Sequence, residues 1–249
     1  MLTLSWGSAT DVGRVRELNE DSLCATGTVF AVADGMGGHA AGEVASELAI
    51  QEMVRVASVS PLHAEHITAA IWTANQRILD AGRERGRFGL GTTLAGLGLV
   101  SAAGVASCAV FNVGDSRVYR LSQGVLSQLT RDHSEVQELV DLGQLERAAA
   151  RVHPRRNVVT RSLGSDPPPV ADLWVFAPEA GDRFLICSDG LTGEIEDHEI
   201  AGVLAAVADP RQAAEDLVLR ANAAGGHDNT STVVIDLASD GTSSPATAR

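Results

Sequence analysis

Four times in this chain an aspartate stands where an apolar run gives way to glycine or a tight turn: Asp34-Gly35, Gly114-Asp115-Ser116-Arg117, Ser188-Asp189-Gly190 and His227-Asp228-Asn229. Three of them follow runs as apolar as TVFAVAD, CAVFNVG and RFLICS, which read as buried strands. A carboxylate delivered by the end of a buried strand is costly unless something cationic meets it. A neighbouring glycine lets the backbone approach closely, so that a main-chain carbonyl can act as one more ligand. For a single Asp-Gly pair, turn chemistry is a sufficient account. For four, the better reading is a set of converging carboxylates. With no clustered cysteine or histidine beside them, they select a hard, oxygen-seeking ion, Mg²⁺ or Mn²⁺ rather than Zn²⁺.

Composition removes several competing chemistries. All 19 basic residues are arginine, so a Walker-type phosphate loop, a Schiff-base enzyme and a protein kinase are excluded for want of their lysine. A net charge of −13 argues against a general nucleic-acid binder. The 249 residues, 45% of them apolar but only 4% aromatic, can fill a sizeable core built from Val, Leu, Ile and Ala. Cys24, Cys108 and Cys187 are an odd number and far apart, which speaks against a disulfide framework and for a reducing cytosol. Met1–Trp6 has neither the basic flank nor the apolar run of a signal peptide. The uncharged stretch from Phe88 to Val113 is long enough to span a bilayer. Its five glycines and the Ser101-Ala102-Ala103-Gly104 turn favour two buried antiparallel strands instead.

Periodicity orders the rest of the chain. Thr28–Asp34 reads as a strand and Gly42–Ala57 as a helix, with Ala45, Leu48, Ala49, Met53 and Val56 on one face. A second helix is expected to open at Ser60-Pro61, a capping residue followed by proline, with Ile67, Ile71, Ala74, Ile78 and Ala81 as its stripe. Arg83, Arg85 and Arg87 then cap its C-terminus against the dipole. Strands are expected near 91–100, 105–113, 117–122, 125–129, 171–177, 182–187 and 231–237, with a helix from Asp209-Pro210 to Asn222 ending at Gly225-Gly226. Residues 131–168 read as a short helix in an irregular lobe, and 239–249 as a disordered tail after a domain spanning 1–238. The pattern is that of an α+β fold with helices on the outer faces of antiparallel sheets.

The motifs Arg16-Glu17-Leu18-Asn19-Glu20-Asp21, Asp34-Gly35-Met36-Gly37-Gly38-His39, Gly42-Glu43, Gly91-Thr92-Thr93, Gly114-Asp115-Ser116-Arg117, Asp132-His133-Ser134, Ser188-Asp189-Gly190 and Asp228-Asn229 occur in the order and rough spacing of a known family. The chain resembles the type 2C metal-dependent serine/threonine protein phosphatases, its bacterial branch above all. Each motif alone is weak; eight in register over about residues 5 to 237 are specific. The resemblance implies a central sandwich of two antiparallel β-sheets flanked by α-helices on both faces, a four-layer α-β-β-α arrangement.

It also implies roles. Asp34 would bridge two ions, with the Gly35 carbonyl on one of them. Asp189 and Asp228 would hold the first ion, and Glu20 and Asp21 the second ion or its waters. Asp115, with Asp189, would hold a weaker third ion; an ion pair between Asp115 and Arg117 in the turn is the alternative. Two ions about 4 Å apart can share a hydroxide for in-line attack on a phosphate monoester. Arg16 would grip the phosphate through a bidentate guanidinium, the alternative being an ordinary surface arginine.

Several positions carry less. Met36 stands where animal members of the family have a proposed general acid, so no general acid is assigned. His39 belongs to the bacterial glycine-rich pattern and reads as structural, Thr92 and Thr93 as core strand residues, and Cys187 as a small buried hydrophobe. Residues 131–168 correspond to the bacterial flap, where Ala149 replaces a common glutamate. The implied protein is a monomeric cytoplasmic phosphatase using two or three Mn²⁺ or Mg²⁺ ions. Its expected partners are phosphorylated proteins, a serine/threonine kinase or the kinase's substrates, with neither nucleic acid nor membrane. The rival readings are a non-catalytic binding protein on the same fold and a dedicated regulator of an anti-sigma-factor switch.

Overall fold

A computed structural model describes residues 2–37, 41–84 and 89–239. His39, Arg85, Arg87 and residues 240–249 of the expected 239–249 tail lie outside the described residues, so the expectations for them stay as stated, whereas Ser239 is the last residue of a strand rather than the first of the tail. In chain order the elements are β1 (Leu2–Asp11), β2 (Asp21–Ala25), β3 (Val29–Met36), α1 (Ala41–Val56), α2 (Ala64–Glu84), β4 (Gly91–Thr92) and β5 (Leu94–Ala102). They continue as β6 (Val105–Val113), β7 (Arg117–Ser122), β8 (Val125–Gln128), α3 (Glu135–Asp141), α4 (Arg147–Ala150) and β9 (Asp172–Phe176). The chain closes with β10 (Arg183–Cys187), α5 (Asp189–Glu194), α6 (Asp197–Ala206), α7 (Pro210–Ala224) and β11 (Thr230–Ser239).

The strands form two antiparallel sheets, one ordered β1-β11-β10-β7-β8 and the other β2-β3-β5-β6-β9 with β4 beside β3. Strand β3 shows why the strands read as unbroken apolar runs rather than alternating ones. Val29, Ala31 and Ala33 face helices α1 and α2, while Phe30 and Val32 point into the space between the sheets. The same division holds in β10, where Phe184 and Ile186 point between the sheets and Leu185 and Cys187 face α5–α7. Both faces of each sheet are covered, so both parities must be apolar. Three cores therefore separate four layers, as the expected α-β-β-α sandwich requires. The uncharged 88–113 stretch supplies the β5–β6 hairpin, and no helix among the described residues is long and apolar enough to cross a membrane.

Two local expectations are corrected. Helix α2 opens at Ala64, not at Ser60-Pro61. Residues 60–63 are spent on tying the chain to β5: the Leu62 carbonyl accepts from the Ser101 N–H at 2.7 Å and His63 Nδ1 meets the Ser101 carbonyl at 2.7 Å. The 131–168 lobe holds two short helices, α3 and α4, rather than one. Its ends are pinned. At one end His133 takes the Gly114 N–H on Nδ1 and faces Asp172 and Arg161 with Nε2. At the other, Asn75 of α2 accepts the Gly164 N–H at 2.7 Å and the Ser165 N–H at 3.1 Å.

Arg183 fastens the outer helical layer to its sheet. Its guanidinium meets both oxygens of Asp236 and the carbonyls of Leu204, Val207 and Ala208 at the end of α6, with 9% of the residue exposed. Arg183→Ala leaves a carboxylate and three carbonyls without their donor. It is expected to lower unfolding free energy by about 3–5 kcal/mol, read from the urea midpoint.

Candidate metal centre

Strand pairing builds the site first. In the β2–β3 register Asp21 lies directly opposite Asp34. Like charges so placed repel, and here both side chains sit half-buried at one end of the sandwich. The Asp34 backbone is held from both sides. Its N–H donates to Thr93 Oγ1 at 2.9 Å, and its carbonyl accepts from Thr92 Oγ1 at 2.8 Å and from the Thr93 N–H at 2.9 Å. Thr93 Oγ1 also lies 2.6 Å from Ser116 Oγ, which connects Asp34 to the turn carrying Asp115. Both threonines are buried, but only Thr92 is the core strand residue expected; Thr93 falls in the break between β4 and β5, and both fix the central aspartate. That second role was not visible in a Gly-Thr-Thr triplet.

Other loops bring in the remaining acids. Asp189 is the first residue of α5, and the neighbouring Gly190 presses that helix onto the Asp228 loop: a Cβ there would fall 2.0 Å from the Asn229 carbonyl. Gly35 is equally confined, since its Cβ would lie 2.3 Å from the Gly42 carbonyl and 2.5 Å from that of Glu20. Asn229, quoted in the sequence motif without a role, accepts the Glu20 N–H at 2.8 Å and donates to the carbonyls of Val12 and Leu18 at 2.9 Å. It thereby closes the loop that carries Arg16. Ser188 donates to Asp21 Oδ2 at 2.8 Å and accepts the Ser231 N–H at 2.9 Å.

The electrostatics are those of unmet negative charge. Burial, then the Asp189 and Asp228 charges, push the Asp21 carboxyl up to about 7 against hydrogen bonds from Ser231 and Ser188. Asp34 is held well above the usual carboxylate range by burial, by Asp21, Asp189 and Asp115, and by a hydrogen bond with Asp189. Asp115 is raised by burial, Asp189 and Asp132, and Asp189 by burial and Asp228. Asp21 Oδ1 is buried and has no partner among the described residues.

The two arginines near these acids differ. Arg16 reaches Asp228 Oδ2 through Nη2 at 2.8 Å, half its side chain in solvent, with Asp34 and Glu20 also raising its pKa. Arg117 does not pair with Asp115, which removes the turn ion pair as an alternative. It binds Asp132 through Nε at 3.0 Å and Nη2 at 2.6 Å, because Asp132, anchored by Gln128, meets the planar fork.

Asp21, Asp34, Asp115 and Asp189 thus share one electrostatic environment, with Asp228 beside them on the Arg16 pair. Among the described residues no three His, Cys, Asp or Glu side chains already form a ready cage for an ion. The fit to divalent cations rests on the oxygen-only donor set, the mutual repulsion and the orphaned Asp21 oxygen. All three call for positive charge.

Comparison with known proteins shows what the chain as a whole resembles. The protein phosphatase 2C family profile matches residues 14–224. A serine/threonine phosphatase stp from Listeria monocytogenes is 37% identical over 243 residues, covering 91% of this chain and 93% of the relative. Serine/threonine protein phosphatase PstP from Mycobacterium tuberculosis is 38% identical over 248 residues, covering 95% of this chain and 45% of the relative. The solved catalytic domain of serine threonine protein phosphatase PstP in complex with two manganese ions superposes with a TM-score of 0.88 at 34% identity, covering 96% of this chain and 100% of that one.

Proposed function

The chain belongs to the protein phosphatase 2C family and is a metal-dependent serine/threonine protein phosphatase, and from that premise we propose that the carboxylate cluster around Asp34 is where phosphoserine and phosphothreonine monoesters are hydrolysed. The observation that carries the assignment is the opposition of Asp21 and Asp34 in register, with one Asp21 oxygen buried and unpartnered.

Asp34, the Gly35 carbonyl, Asp189 and Asp228 would hold the principal manganese or magnesium ions. Glu20 and Asp21 would serve the second ion or its waters, and Asp115 a third. When bound, such ions acidify water to give a nucleophile at neutral pH and offset the charge of the phosphoryl group. The protein's own part is positioning. Thr92 and Thr93 fix Asp34, Ser188 orients Asp21, and Asn229 shapes the Arg16 loop. Arg16 spends one amino group on Asp228 and keeps its other N–H donors for phosphoryl oxygens. No side chain is assigned as general acid.

The catalytic domain is taken as residues 1–238, with 131–168 as its flap lobe. A cytoplasmic monomer acting on a serine/threonine kinase or its substrates is the cellular reading. Three buried, unpaired cysteines support the reducing compartment; burial pushes the Cys187 thiol up to about 12, which suits a packing role.

Hydrolysis of a chromogenic aryl phosphate should require added Mn²⁺, vanish with chelator and return when Mn²⁺ is restored. Turnover that persists in chelator would overturn the assignment.

A further inference from the structure

A cleft of about 630 Å³ runs between the flap lobe and helices α5 and α6, with Asp115 and Asp189 among its walls. Its volume is that of a ligand site, typically about 300–1,000 Å³. The flap wall presents Arg147, Arg151 and Arg156. Their neighbours are all engaged: Arg131 with Asp141, Arg155 with Glu135 and Arg161 with Asp172. Those three on the cleft wall have no carboxylate partner among the described residues. Arg151 makes one bond across the cleft, from Nη2 to the Ile195 carbonyl at 3.4 Å.

The acids that share the cleft are already spoken for. Asp132 takes Arg117 and Gln128, Asp197 accepts the Tyr119 hydroxyl at 3.0 Å, and Glu196 is occupied by His198 and its helix cap. Asp115 and Asp189 belong to the proposed metal centre. In a chain with 32 acidic and 19 basic residues, partners for three arginines are not scarce. With Asp115 and Asp189 offset by cations, four arginines (Arg117, Arg147, Arg151 and Arg156) face three acids (Asp132, Glu196 and Asp197) on the cleft wall, a formal balance of one positive charge.

We propose that this cleft is a docking groove for an acidic stretch of the substrate protein flanking the phosphorylated residue, read by Arg147 and Arg156 with Arg151 at the crossing. Guanidinium groups suit the task, since their forks meet carboxylates two oxygens at a time. The inference rests on the phosphatase reading, and the experiment separates the two.

Wild-type enzyme with Mn²⁺ is given an aryl phosphate and three phosphothreonine peptides whose flanks are acidic, neutral or basic on both sides. The acid-flanked peptide should show about tenfold higher kcat/KM than the neutral one, carried mainly in KM, from three solvent-exposed charge pairs. The preference should fade in 0.5 M salt, where the screening length is only about 3–5 Å. In Arg147→Glu/Arg156→Glu the order should invert toward the basic peptide. The readout is the ratio between peptides for each enzyme, so a change in overall turnover cancels, and inversion is something a damaged fold cannot produce. Equal rates on the three peptides, or an acidic preference that survives the double substitution, would overturn the proposal while leaving aryl phosphate hydrolysis intact. Failure to hydrolyse the aryl phosphate would remove the phosphatase reading and this inference together.

Discussion

Asp34→Asn should reduce turnover at saturating Mn²⁺ by at least about 10³-fold, the upper end of what removing one preorganised electrostatic group costs. The same substitution should make the metal-free protein more stable. Burial and the charges of Asp21, Asp189 and Asp115 raise the Asp34 carboxyl well above the usual carboxylate range in the folded chain. The folded environment therefore disfavours the ionised carboxylate relative to the unfolded chain, a cost to folding without metal that asparagine does not carry. The amide keeps the shape of the side chain, and the backbone contacts to Thr92 and Thr93 involve only main-chain atoms of residue 34. Each kcal/mol gained is worth about 2–4 °C in melting temperature for a chain of this size. Higher melting temperature in chelator combined with lost turnover separates a functional carboxylate from a structural one. Activity within tenfold of wild type would remove Asp34 from the centre of the site.

The same folding cost makes the proposed site legible in the sequence. An aspartate that destabilises the strand it ends must be kept for something else, and Asp34, Asp115 and Asp189 break the apolar patterns around them. Residues that work by hydrogen bonding alone break no pattern. Thr92 and Thr93 fit a strand equally well whether or not they hold Asp34. Ser188 and Asn229 acquire their meaning only when β10, β11 and the 12–20 loop meet, between residues more than 40 positions apart in the chain. The Asp132–Arg117 pair was missed for a related reason: proximity in sequence offered only Asp115 as an alternative partner for Arg117, whereas the β7–β8 hairpin returns the chain so that Asp132 meets the guanidinium.

The fold was legible where burial on two faces imposed long apolar runs, as in β3, β5, β6 and β10. It was less so at the edges. Strand β1, LTLSWGSATD, mixes polar and apolar residues because it has a single strand neighbour, β11, and its identity depends on ten paired positions with that strand. Helix α5 is six residues long, too short for periodicity to register. Helix α6 opens with a capping box in which Glu196 takes the place usually held by serine or threonine. Helix α2 began later than its Ser-Pro signal because β5 claims the Leu62 carbonyl and the His63 ring.

The second large effect is on stability in the absence of metal. The folded chain holds Asp21 at about 7, whereas its ordinary value is 3.8. Below 3.8 both states are protonated and the group contributes nothing. As pH rises from there, the unfolded state releases its proton while the folded state retains it, so stability falls until the folded carboxyl ionises near 7. That interval is worth up to about 4 kcal/mol from this group alone, and Asp34, Asp115 and Asp189 act in the same direction. His133 opposes them: burial lowers its pKa, so its contribution is lost as pH falls. Metal reverses the acid term, because ions bind the ionised carboxylates and displace their protons. The melting temperature in saturating Mn²⁺ minus that in chelator should therefore widen steadily from pH 5 to pH 8. The subtraction removes His133, which is common to both conditions. Asp21→Asn should narrow the gap at pH 8 and flatten its slope, since the buried Oδ1 position then carries no charge to be met. A gap independent of pH would mean that these carboxylates do not take up the ions, and the site would have to lie elsewhere on the chain.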